Sequence, residues 1–125
     1  MSKYAFLFID DGVEYQGAPT PEQQKVYADI FTWFETNGSK ITDGGAELQP
    51  TRTATTIRHR DGKATVMDGP FIEAKESVGG YTIFELPDRE AAIALAKTWP
   101  GHAVEVRSLV EQRDEQNVPA DLARR

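Results

Sequence analysis

The sequence contains no cysteine, which removes disulfides, thiolate nucleophiles and zinc–thiolate sites from consideration. Long apolar runs are missing as well. None exceeds "YAFLFI" at Tyr4 to Ile9, which falls far short of the ~20 residues of a bilayer-spanning helix and is too short for a signal-peptide core. A cytoplasmic protein with no membrane association is the expectation. Positive charge is scarce: 14 Lys and Arg against 20 Asp and Glu leave a formal net charge of −6. Phosphate recognition needs clustered cations, so no nucleic-acid partner is expected; Arg52, Arg58 and Arg60 are the nearest approach to a basic patch. There are two histidines, His59 and His102, without ligand spacing, so no metal site is expected. "GGAEL" and "VGGY" lack the strand–loop–helix setting of a phosphate loop, and no Ser-His-Asp order stands out. No cofactor is expected.

What remains is an ordinary globular composition, 39% hydrophobic and 27% charged over 125 residues, enough for one domain and one core. "KYAFLFI" is a strand with Tyr4, Phe6 and Phe8 on one face and Ala5, Leu7 and Ile9 on the other. Apolar on both faces, it belongs in the middle of a sheet that is covered on both sides. "TPEQQKVYADIFTWFETNG" is a helix capped by Thr20, with Pro21 in the first turn and Gln23 completing a capping box. Its stripe of Val26, Tyr27, Ile30, Phe31 and Phe34 is expected to pack in the core, and Asn37-Gly38 to stop it.

A short segment around Ile41 to Leu48 leads to "TATTIRHRDGKATVMDG", where Asp61-Gly62 signals a type I′ hairpin pairing Arg60 with Lys63 and Arg58 with Thr65. "GGYTIFELP" is a further strand. Asp88 caps a second helix with a stripe of Ala92, Ile93, Ala96 and Trp99, ended by Pro100-Gly101. "HAVEVRSLV" closes the domain as a strand. The domain is expected to span residues 1–110, followed by a polar tail over 111–125.

This order predicts an α+β, ferredoxin-like plait with an extra β-hairpin. Two helices cover one sheet face only. The apolar second face of the first strand then calls for a second copy packed sheet to sheet, a homodimer enclosing a space between the sheets.

Chemistry centres on "VMDGPFIEAKESVGGY", Val66 to Tyr81. Asp68-Gly69-Pro70 has the composition of a turn, with Phe71 as a hydrophobic plug and Glu73, Lys75 and Glu76 behind it. Those charges either stay in solvent or line a pocket. In the last strand Val104 and Val106 share the helix-facing side, while Glu105 and Arg107 share the other. They either pair with each other or ring a polar pocket with Glu73, Lys75 and Tyr81. Asp10-Asp11-Gly12 reads as turn chemistry. His59 is expected to face solvent at the hairpin tip, and His102 to be exposed or bonded to backbone.

Together "KYAFLF", "ELQPTRTATTIRHRDGK", "MDGPFIEAKESVGGYTIFELPDREAAIALA" and "HAVEVRS" resemble the DGPF-domain branch of the YCII-related family, over nearly the whole chain to about Leu109. The resemblance implies a ferredoxin-like fold assembling as a dimeric α/β barrel, with a small-molecule cleft between the sheets. Its motif falls on Asp68, Gly69, Pro70, Phe71, Glu73, Lys75, Glu76, Gly80, Tyr81, Glu105 and Arg107. Some relatives are proposed enzymes with a His-Asp pair; "DDGVEYQGAPTPEQQ" holds no histidine, so that pair is expected to be absent here. Relatives are also associated with extracytoplasmic-function sigma factors.

Three functions follow. The first is a dimeric binding protein for a zwitterionic or carboxylate-bearing small molecule, with Arg107 and Lys75 as anion contacts and Asp68, Phe71, Glu73, Glu76, Tyr81 and Glu105 completing the site. The second is an enzyme of lyase-like acid–base chemistry using Glu73, Glu76 or Glu105. The third is an accessory module of a sigma-factor system.

Overall fold

A computed structural model describes residues 1–71 and 74–111. Six strands and two helices follow in the order β1 (Ser2–Asp10), α1 (Pro21–Thr36), β2 (Ile41–Glu47), β3 (Thr55–Arg60), β4 (Lys63–Asp68), β5 (Ser77–Leu86), α2 (Arg89–Ala96) and β6 (Ala103–Ser108). The main sheet has the order β2-β5-β1-β6, and β3-β4 is a separate two-stranded ribbon. Every pairing is antiparallel. With the ribbon set aside, the connectivity is consistent with a ferredoxin-like α+β plait. None of its helices, among the described residues, is long and apolar enough to cross a membrane.

The core forms where sequence parity puts it. Tyr4 and Phe6 of β1 meet Phe84 and Leu86 of β5, and Trp33, Ala92 and Leu95 close over them from the helices. Phe6 and Phe84 are fully buried with ring centroids 4.5 Å apart, each worth about 2–3 kcal/mol of apolar transfer. Val104 and Val106 pack against this cluster, opposite Phe8 and Phe6. The Trp33 indole N–H donates to Thr98 Oγ1 at 2.7 Å, and that hydroxyl donates to the Leu95 carbonyl at 2.6 Å, tying α1 to the end of α2.

The helix ends behave as their residues dictate. Thr20 Oγ1 accepts from the Gln23 amide at 3.1 Å while Gln23 Oε1 accepts from the Thr20 amide at 2.8 Å, the full capping box. Asp88 accepts from the Ala91 amide at 2.9 Å. The α2 helix stops at Ala96, earlier than its Pro-Gly signal, and its buried residues are Ala92 and Leu95. Trp99 lies beyond the helix.

The stripe on α1 is where packing departs from expectation. Trp33 is the residue of α1 that enters the core. Tyr27 and Phe31 are 55% and 67% exposed, so the stripe is not a closed core face. The hairpin turn is as expected: Asp61 and Gly62 both take positive φ, 53° and 74°, and Arg60 pairs with Lys63 and Arg58 with Thr65.

Two bulges sit at one end of the main sheet. Phe8 pairs with Gly80 but Ile9 with Val78, leaving Gly79 as the extra residue in β5. Between Asp43 and Ala46, β2 also slips register against β5, with Gly45 at φ 69°. A Cβ on Gly45 would fall on the Tyr81 carbonyl oxygen, so glycine permits this close approach.

Candidate functional site

The bulged end of the sheet opens into a cleft of about 680 Å³ on the helix side, within the size range of small-molecule sites. Phe8, Phe34 and Trp99 form its floor. Their rings are in contact, with Phe8 and Trp99 centroids 4.3 Å apart and Phe34 and Trp99 5.9 Å apart. Val26, Tyr27 and Ile30 of α1 make one wall; Gly44 to Leu48 and Gly79 to Thr82 make the other. Four of the five stripe residues therefore serve this cleft. The helical spacing that signalled an apolar face was correct, but no local pattern distinguishes a face that packs from one that lines a cavity.

The outer rim is polar: Asp10, Asp11, Tyr15, Glu47 and His102. Asp10 ends β1 and accepts from the Gly12 amide at 2.9 Å and from Ser77 Oγ at 3.0 Å. Asp11 accepts from the Val13 amide at 3.0 Å and from the Tyr15 hydroxyl at 2.9 Å. The Val13 amide, then the Tyr15 hydroxyl, hold the Asp11 carboxyl below the usual carboxylate range, with a smaller push from His102. The same bond and the neighbouring charge push the Tyr15 phenol up. His102 directly precedes β6, and its Nε2 lies 2.6 Å from Glu76 Oε2. A histidine facing carboxylates is thus present, supplied from the far end of the chain and not from the loop after β1. Among the described residues no group of three or more His, Asp or Glu side chains converges in metal-ligating geometry.

The residues singled out from sequence are distributed over three places. Tyr81 belongs to the Gly79 to Thr82 wall of the cleft, but its place opposite Leu7 turns its side chain to the other sheet face, and Glu76 reaches the rim residue His102. Glu105 and Arg107 sit on the opposite sheet face, on β6 beside Leu7 and Ala5, and pair with each other through Arg107 Nε and Glu105 Oε2 at 2.6 Å. Asp68 ends β4 in the exposed ribbon. Phe71 is not a plug: it is 62% exposed, with the Arg58 guanidinium 4.2 Å above its ring. Lys75 is exposed, and its carbonyl packs against Gly12. Glu73 and the tail from residue 112 lie outside the described residues. Sequence pattern alone does not mark His102, Asp11, Tyr15 or the aromatic floor as parts of a site. The signal that could have found them is topological, because the ends of β1 and β2 and the starts of β5 and β6 meet at one edge of the plait.

Two comparisons bear on ancestry. The model of the YCII-related domain matches residues 3–113. An uncharacterized protein of Rhizobium meliloti (strain 1021) is 40% identical over 99 residues, covering 75% of this chain and 77% of the relative.

Proposed function

The chain belongs to the YCII-related family, and on that footing we propose that it binds a small organic molecule in the cleft between α1 and the bulged end of the sheet. The observation that carries this reading is an aromatic-floored cavity of about 680 Å³ with a His102–Glu76 pair at its rim. Such a cavity buries an apolar body and leaves the polar end to the rim. Within the family this reading assigns the chain to the DGPF branch, supported by Asp68-Gly69-Pro70-Phe71 and the Gly79-Gly80-Tyr81 run. The functional unit in this reading is a homodimer joined through the sheet face that carries Ala5, Leu7 and Ile9.

A thermal-shift screen against a metabolite library tests the cleft. Saturation about a hundredfold above Kd adds about 2.7 kcal/mol, a rise of several degrees for a domain of this size. Val26→Trp, which fills the cleft from an exposed helix position, should abolish the shift. Arg107→Met should retain it. Loss with Arg107→Met and retention with Val26→Trp would move the site to the space between sheets.

A second reading, proton-transfer catalysis, is favoured by the 2.6 Å contact of His102 with Glu76, the arrangement that orients a histidine base. It requires that a bound ligand turn over, and that His102→Asn stop turnover while leaving binding nearly unchanged.

A further inference from the structure

The charge around the cleft has one sign. Asp10, Asp11 and Glu47 line it, and no Lys or Arg does. Among the described residues no ion pair reaches any of these three carboxylates. The cations on either side of Glu47 are otherwise engaged: Arg52 holds Glu14 at 2.9 Å, and Lys40 donates to Asn37 Oδ1 at 3.3 Å. The histidine that could carry positive charge is matched by Glu76. The carboxylates therefore face a half-enclosed, aromatic space whose positive complement is absent from the described chain.

Beneath them the lining suits a positive charge as well. Tyr27 and Trp99 line the cavity, and electron-rich ring faces attract cations, more strongly where water is excluded. A bare metal ion fits poorly, since no three donors converge among the described residues. An anionic ligand would lie among three carboxylates without a guanidinium or ammonium to hold it.

We infer that the cleft selects an organic cation, an ammonium group carried on an aromatic or aliphatic body, with the ammonium at the Asp11–Glu47 rim and the body on Phe8, Phe34 and Trp99. This rests on the cleft being the ligand site. It reverses the charge expected from sequence, where Arg107 and Lys75 suggested an anion; Arg107 faces away on the other side of the sheet.

Three probes of one shape test it: tryptamine, indole-3-propionate and tryptophol, which are positive, negative and neutral. Titration calorimetry on the full chain should show tryptamine binding at least about tenfold more tightly than either other probe, and weakening as salt is raised. Glu47→Gln, at an exposed edge-strand position without an intramolecular hydrogen bond to lose among the described residues, should weaken tryptamine about fivefold to tenfold and leave tryptophol unchanged. Asp11→Asn, which can still accept from the Val13 amide, should do the same. If indole-3-propionate or tryptophol binds as well as tryptamine, and Val26→Trp abolishes it, the cation inference falls and the cleft stands. If none of the three binds at its solubility limit, the inference falls, and the library screen with Val26→Trp decides the cleft separately.

Discussion

At the residue scale the Asp11–Tyr15 bond gives the rim a definite pH behaviour. The folded chain holds Asp11 below its ordinary value of 3.8, so its contribution is present above that value and is lost as pH falls through the lowered one. Tyr15 is held above its ordinary 10.0; its contribution is complete below that value and is lost as pH rises through the raised one. One hydrogen bond thus stabilises the loop between these two limits and is lost at both ends of the scale. Tyr15→Phe should return Asp11 upward toward 3.8, read from its side-chain carboxyl resonance in an NMR titration. An Asp11 titration that does not move would show that the Val13 amide alone sets it. Asp10-Asp11-Gly12 was legible as a turn because the bonds that shape it, from the Gly12 and Val13 amides, close within two residues. The His102–Glu76 pair was not, because it joins residues 26 positions apart through two strand ends that local pattern cannot bring together.

Among the elements, those whose residues interact locally or by strict alternation were legible: the capping box, the Asp61-Gly62 turn, and the two faces of β1 and β6. The α1 helix was legible in extent and not in use. Its apolar arc is wide enough for Trp33 to enter the core while Val26, Tyr27 and Ile30 face a cavity, and the division depends on where the sheet bulges. The β3–β4 ribbon shows the converse. Ile57 and Val66 are 56% and 66% exposed, and the ribbon's side-chain bonds close on its own base, Thr56 to the Gly69 carbonyl and Arg58 to the Phe71 carbonyl. A two-stranded ribbon is marginal alone and adds little to a core it does not touch. Replacing residues 55–68 with a short Gly-Ser linker should therefore change unfolding free energy by less than about 1 kcal/mol, or roughly 4 °C in Tm. A larger loss in denaturant unfolding of the isolated chain would mean that the ribbon packs on the body, its own or a partner's.

For the whole molecule, the two sides of the main sheet are unequal. One carries both helices and the core. The other presents Ala5, Leu7 and Ile9 of the central strand, flanked by Tyr81 and Ile83 on β5 and by Glu105 and Arg107 on β6. Its apolar centre is a surface that water penalises, and the Glu105–Arg107 pair gives it a charged margin where two copies related by a two-fold axis could exchange partners. A stable contact needs roughly 1,000 Å² or more, within reach of a four-stranded face. Light scattering should therefore give twice the chain mass for the native protein. Leu7→Asp places a carboxylate opposite Glu105 and Tyr81 at the middle of this face, where burial against a partner leaves it unpaired. It should give a monomer with unchanged far-ultraviolet circular dichroism, because Leu7 points away from the core. The cleft lies on the helix side, so this monomer should keep its ligand shift. A native chain that scatters as a monomer would end the sheet-to-sheet assembly; a dimer whose ligand shift disappears with Leu7→Asp would make the cleft depend on the partner.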